Sequence, residues 1–231
     1  MSLHVDRVVL TVGHSSHPQE IFLGLLGRHR VTAIADVRST PYSRFNPHFN
    51  RKPLAATLAV RGIEYLYLGR ELGGRPDDPA CYEDGRVRYD RVARTDRFRE
   101  GLDRLSGDAA AHRIALMCAE KEPLDCHRTL LVGQALHERG VEVAHVHADG
   151  GLESHAGAMD RLLAGMGLDP GDDLFRRHQS RDALIAEAIA RTTGRSRRSD
   201  LSRPPWRSRR WPRGKTDGAS LVEPRNTSRP G

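Results

Sequence analysis

The stretch Ile114-Ala115-Leu116-Met117-Cys118-Ala119-Glu120-Lys121-Glu122-Pro123-Leu124-Asp125-Cys126-His127-Arg128, continued by Thr129 to Arg139, decides how this chain folds. Ile114 to Met117 is a short apolar run of the kind a buried strand presents. Thr129 to Arg139 reads as a helix and closes on Gly140, the residue best suited to the left-handed turn after a helix. Asp125 suits the N-cap, which would put Cys126 at the first helical position. Between strand and helix, one connection collects two thiols, an imidazole, carboxylates and a guanidinium.

The same alternation recurs on both sides. Val8 to Val12 is a β-branched apolar run that stops at Gly13-His14-Ser15-Ser16. Ser16 and Gln19 have capping-box spacing, Pro18 fits a first helical turn, and Ile21, Phe22, Leu25 and Leu26 mark one helix face. Val31 to Val37 is a second strand, and a long polar loop from Thr40 follows it. Asn50 is placed to cap a helix with Leu54 and Leu58 inward and Gly62 at its end. Ile63 to Leu68 is a third strand, followed by Glu71-Leu72-Gly73-Gly74-Arg75, whose glycines suit a tight turn. Residues 76–88 read as a surface loop. Phe98, Leu102 and Leu105 predict a helix over Asp90 to Leu105, and Val141 to Val146 is a fifth strand. Ala156, Met159, Leu162 and Leu163 predict a short helix. Ser180 is placed to cap another, with Leu184, Ile185, Ala188 and Ile189 inward and Gly194 as its stop.

Strands joined by single-helix crossovers predict an α/β fold: a single domain with a mainly parallel, Rossmann-like sheet of about five strands and covering helices. The domain should span 1–194, with a core at about 8–147 and a helical part at 152–194. A chain of 231 residues can bury one sizeable core, yet its 38% apolar content is low for a chain packed throughout. Residues 195–231 account for this. They hold ten Arg and one Lys against three acids, a net of +8, which leaves residues 1–194 at −1 of the chain's +7. Their Pro and Ser content predicts a disordered tail. Its arginines and the tryptophans Trp206 and Trp211 suit non-specific, salt-sensitive contact with nucleic acid. No run is long and apolar enough to cross a membrane, and no secretory leader is apparent, so a cytoplasmic location is expected. Cys81, Cys118 and Cys126 are too few for a disulfide framework and are expected as free thiols or ligands.

In parallel sheets, functional groups gather beyond the carboxyl ends of the strands. Gly13-His14-Ser15, Asp36-Val37-Arg38-Ser39, Glu71 to Arg75 and Cys118-Ala119-Glu120 all fall there. Cys126, at a helix start beside His127 and Arg128, is the candidate nucleophilic or redox thiol. Cys118 follows an apolar strand directly and is equally a packing residue. His14 and Asp36 read as general base and orienting carboxylate, and Glu120 as the acid–base group. Arg38, Arg44 and Arg128, with Ser15, Ser39, Cys118 and His127 around them, read as an anion site. Against that stands local ion pairing, Arg38 with Asp36 and Arg128 with Glu120. His145 is either a site residue or a hydrogen-bonded core residue. Cys118, Cys126, His127 and His14 are suitable zinc ligands, but the spacing C-x7-C-H lacks a C-x2-C pair, and no cofactor is predicted.

Gly13-His14-Ser15, Asp36-Val37-Arg38-Ser39, Ser43-Arg44, Phe49, Leu72-Gly73-Gly74, Met117-Cys118-Ala119-Glu120 and Cys126-His127-Arg128 together resemble the signature set of the bacterial domain of unknown function 488 family, over about residues 8–147. The resemblance implies one α/β domain with a polar site built from these motifs, and transfers no substrate. Three functions are therefore open. The first is an enzyme acting on a small phosphate- or carboxylate-bearing substrate. The second is a non-catalytic module for an anionic or nucleotide-like ligand. The third is nucleic-acid association through the tail. Nothing in the sequence fixes an oligomeric state.

Overall fold

The computed structural model describes residues 8–168 and 179–194; the basic tail and its expected contact with nucleic acid lie outside the described residues. The main sheet has six strands, β1 (Val8–Gly13), β2 (Ala33–Asp36), β3 (Glu64–Tyr67), β6 (Ile114–Cys118), β7 (Glu142–Val146) and β8 (Leu152–Ser154). Their order is β3-β2-β6-β1-β7-β8. The first five run parallel, as the single-helix crossovers require, and β8 adds an antiparallel edge to β7. The β6 strand, entirely buried, lies between β2 and β1. That position carries its last residue, Cys118, to the middle of the carboxyl-end rim. A separate hairpin, β4 (Tyr82–Glu83) and β5 (Arg86–Val87), occupies the predicted surface loop. Strands of two or three residues leave no periodicity to read, so β4, β5 and β8 are not legible in the sequence.

Period-two alternation assigns the side chains to two faces. Leu10 and Val12 of β1, Ile34 of β2, and Ala115 and Met117 of β6 pack under Phe22, Leu26, Leu54 and Leu58. Those leucines and Phe22 come from α1 (Gln19–Arg28) and α2 (Arg51–Val60). Val9, Ala33, Ala35, Leu116 and Cys118 face the other way, against Phe98, Leu102, Leu105, Leu131 and Leu136. The short α3 (Tyr89–Val92) precedes α4 (Asp96–Asp108), which carries the first three of these. The last two come from a continuous helix wound as a π-helix over Arg128–Gly133 and as α5 (Gln134–Glu138) beyond it. The predicted C-terminal helices are present as α6 (His155–Gly165) and α7 (Arg181–Gly194), joined through Met159, Leu163, Leu184, Ile185 and Ala188.

Several helix starts differ from the sequence expectation. The α1 helix starts after Pro18 with no side-chain cap, and the amide of Gln19 instead donates to Thr57 Oγ1 at 2.6 Å. Asn50 does precede α2, but its Oδ1 accepts the Ser43 N–H at 2.6 Å, tying down the long loop. The predicted helix over Asp90 to Leu105 is broken, and α4 restarts at Thr95, whose hydroxyl caps the Phe98 N–H. Asp125 is not the cap before the π-helix. It ends a 3₁₀ turn, Pro123–Asp125, and Cys126 has extended backbone, φ −130° and ψ 139°. The carbonyl of Cys126 accepts the N–H groups of Thr129 and Leu130, so Cys126 itself is the capping residue.

Candidate functional site

At the ends of β1 and β2, on the α1/α2 face, a buried polar chain forms. Asp36 takes Arg38 in a two-pronged pair, Nε to Oδ1 at 2.9 Å and Nη2 to Oδ2 at 2.6 Å, and also accepts the Tyr65 hydroxyl at 2.6 Å. Arg38 Nη2 also donates to the Phe49 carbonyl, and Nη1 meets His14 Nε2 at 3.1 Å. His14 Nδ1 faces the Ser15 carbonyl, which can only accept, so Nδ1 carries the proton and Nε2 accepts from Arg38. Burial, then the neighbouring Arg38 charge, lowers the His14 pKa to about 4. Arg38 is held above its ordinary value, because the bonded Asp36 carboxylate outweighs burial. Burial and Asp36 together push Tyr65 up. Asp36 therefore orients His14 only through Arg38, and the His14 lone pair is already taken.

On the opposite face the thiol group assembles around one carboxylate oxygen. Cys118 Sγ and Cys126 Sγ each lie 3.0 Å from Glu120 Oε2. His127 Nδ1 is 3.7 Å from Cys118 Sγ and 3.9 Å from Cys126 Sγ. The other nitrogen of that ring, Nε2, is 2.9 Å from the Val37 carbonyl. The Cys118 pKa is raised well above the ordinary thiol value by its hydrogen bond to Cys126 and by burial. The Cys126 pKa falls well below it: burial opposes this, but Cys118, His127 and Arg128 prevail. Cys126 is thus the more acidic of the two thiols, and either S–H can donate to Glu120 Oε2. The N–H of Arg128 points at Cys126 Sγ at 3.5 Å, as expected where a sulfur caps a helix N-terminus.

The connection that carries these groups is held from behind. Arg128 is fully buried, and its Nη1 and Nη2 donate to the carbonyls of Glu120 and Lys121 at 2.7 and 3.2 Å. The expected Arg128–Glu120 pairing thus runs through the main chain rather than the carboxylate. Gly13 lets β1 approach this loop: a Cβ there would stand 1.9 Å from the Glu120 carbonyl oxygen. The N–H groups of His14 and Ser15 extend the β1–β6 ladder onto the carbonyls of Cys118 and Ala119, both at 2.9 Å, and Ser15 sits at φ 48°. A left-handed serine costs of order 1 kcal/mol or more and persists where its surroundings enforce it. Gly74 serves close approach rather than a tight turn, since a Cβ there would meet the His127 ring at 2.7 Å.

A cleft of about 460 Å³ opens where the two faces meet. Of the predicted residues, His14, Ser15, Arg38 and Glu120 line it, together with Ser16, Thr40, Tyr42, Ser43, Asn46, Ala119 and Lys121. Asp36 stands behind Arg38, and Cys118, Cys126 and His127 stand behind Glu120. The other predicted residues lie elsewhere: Arg44 is exposed over Phe45, Ser39 Oγ accepts the Arg75 N–H, and Arg128 is sealed beneath. His145 is a core residue, bonded to Thr11 and His155. The lining residues Thr40, Tyr42, Asn46 and Lys121 escaped sequence reasoning, although the length of the loop after β2 was a signal for the first three.

A mainly parallel α/β sheet with two buried thiols, an exposed carboxylate and a half-buried imidazole at its carboxyl-end rim defines the class of protein. Among the described residues no helix is long and apolar enough to cross a membrane. The family model for the domain of unknown function DUF488 matches residues 18–135, just over half of the chain, and the protein belongs to that family. No curated protein and no solved structure matches it.

Proposed function

We propose that this protein is an enzyme acting on a small anionic substrate, phosphate- or carboxylate-bearing, held in the cleft at the carboxyl ends of β1, β2 and β6. The observation that carries this reading is the double role of Glu120, which lines the cleft and also touches both buried thiols. A volume of about 460 Å³ suits a small molecule. Lys121 and the hydroxyls of Ser15, Ser16 and Thr40 supply the anion contacts, with Arg38 as a charge fixed in place by Asp36. Glu120 is assigned proton transfer at the substrate, and Cys126 is the more acidic thiol of the group behind it. His14 and Asp36 act through Arg38 as positioning residues. Three free cysteines fit the reducing, cytoplasmic setting that belongs to the same reading.

Calorimetric titration of the full chain with inorganic phosphate and with a small dicarboxylate tests the binding half. Saturable binding that weakens with salt and in Lys121→Ala is expected; no heat at millimolar ligand would defeat the proposal. Turnover of a panel of phosphate and carboxylate esters tests the catalytic half. Glu120→Gln should keep binding and lose turnover. Binding with no turnover of any ester by the wild type would instead favour a non-catalytic anion module.

A further inference from the structure

Four electron-pair donors converge on one point behind the cleft: Cys118 Sγ, Cys126 Sγ, Glu120 Oε2 and His127 Nδ1 all lie within 4.8 Å of one another. We propose that this group binds a thiophilic divalent cation, zinc by donor type, in a tetrahedral site of two cysteines, one histidine and one glutamate. The proposal stands whether or not the cleft takes an anion.

Three geometric facts carry it. The first is spacing. Zinc bond lengths of about 2.3 Å to sulfur and about 2.0–2.2 Å to nitrogen and oxygen place tetrahedral donors about 3.3–3.8 Å apart. The sulfur–nitrogen separations here are 3.7 and 3.9 Å, and the sulfur–oxygen separations are 3.0 Å. A cation would move the carboxylate oxygen away from the two sulfurs by about half an ångström to reach that spacing.

The second is the orientation of the imidazole. The Val37 carbonyl can only accept, so His127 Nε2 donates to it at 2.9 Å. In the neutral ring that bond leaves a bare Nδ1 facing the sulfurs, the outer contact that metal-binding histidines use. Gly74 leaves room for the ring to sit there.

The third is charge. Two thiolates and a carboxylate around a divalent ion leave one excess negative charge. The fully buried guanidinium of Arg128, whose side chain bonds only main-chain carbonyls among the described residues, balances it. The backbone N–H of Arg128 also points at Cys126 Sγ. Cys118, Cys126 and His127 sit on the ends of rigid elements. Glu120 is the ligand on the cleft side.

The test uses the full chain, reduced and stripped of metal with a chelator, in buffer without phosphate or any small-molecule substrate. Cobalt(II) is titrated as the spectroscopic probe, then zinc. One cobalt per chain is expected, with thiolate-to-cobalt charge-transfer absorption, and one equivalent of zinc should abolish the spectrum. Cys118→Ser and Cys126→Ser should each lose that absorption, while Cys81→Ala should titrate like the wild type. Gly74→Ala, which displaces a ligand ring without removing a ligand, should weaken binding by about 10–100-fold. Far-UV circular dichroism checks folding. If a cysteine variant does not fold, Glu120→Gln and Gly74→Ala decide the matter, since weaker binding is expected in both. The proposal is overturned if the wild type shows no charge-transfer band, if it binds less than one equivalent, or if it binds as tightly after these replacements.

Discussion

The buried histidine pair gives the sharpest stability prediction. Thr11 Oγ1 meets His145 Nδ1 at 2.8 Å, His145 Nε2 meets His155 Nδ1 at 3.2 Å, and His155 Nε2 meets Gln134 Oε1 at 3.0 Å. The Gln134 amide nitrogen donates to Glu138, so its oxygen faces His155 and must accept. The whole chain of bonds then has one direction, with each ring donating from Nε2 and accepting at Nδ1. Both rings are neutral in that arrangement. Burial, then the mutual repulsion of the two rings, lowers His145 to about 3, and burial with His137 and Arg181 nearby lowers His155 to about 4.

The sign follows from linkage. In the unfolded chain both histidines take up a proton below about pH 6.5, while in the folded chain they do not until about pH 3 to 4. The unfolded state thus binds more protons across that window. Stability is full above pH 6.5 and falls as the pH drops. From pH 6.5 to 4.5 the loss is about 3 kcal/mol for each ring, at roughly 1.4 kcal/mol per pH unit. His145→Gln isolates one ring, because its amide can accept from Thr11 and donate to His155 without titrating. At pH 7 the variant should be less stable than wild type by about 1 kcal/mol, the worth of one imperfect hydrogen bond. At pH 4.5 the difference should have moved in its favour by about 3 kcal/mol. Urea unfolding of both proteins at the two pH values measures this, and other titrating groups cancel in the comparison. A stability difference that is the same at pH 7 and pH 4.5 would refute the neutral, one-directional chain.

Three further outcomes are expected. Asp36→Asn strips the buried Arg38 of its anionic partner and should cost about 3–5 kcal/mol in urea unfolding; a loss below about 1 kcal/mol would mean that Arg38 finds solvent. Gly13→Ala drives a methyl into the Glu120 carbonyl and should cost about 1–3 kcal/mol or more, with altered alkylation of Cys118 and Cys126 as the local readout; unchanged stability would show that β1 and the Glu120 loop are not locked. Thr95→Ala removes the cap of α4 and should lower stability by about 1 kcal/mol; no change in the unfolding midpoint would show that the Phe98 N–H is served by water.

The order of elements was legible because it rests on local pattern. Apolar runs such as Val8 to Val12 and Ile114 to Met117, and the stripes Phe98-Leu102-Leu105 and Leu184-Ile185-Ala188, report burial through periods of two and 3.6. That chemical groups sit at the carboxyl ends also followed, since alternation of strand and helix implies parallel strands. Caps were less legible. Ser16, Asn50 and Asp125 all have capping side chains, but Asn50 is claimed by Ser43 N–H, and backbone geometry gives the cap position after Asp125 to Cys126 instead.

The sequence by itself determined an α/β protein whose first, second and fourth predicted strands end in reactive residues, and membership of its family was readable from the motifs after those strands. Only the tertiary structure decided how those residues divide. Strand order and pleat put Asp36 and Cys118 on opposite faces of the sheet, so the motifs form two groups that meet through the cleft and Glu120 rather than one ring of side chains. It also decided that C-x7-C-H, the wrong spacing for a local zinc motif, brings its donors together. Spacing rules describe ligands on one hairpin or turn, whereas here a strand end, a loop carboxylate and a helix cap converge because the sheet and the buried Arg128 hold them there.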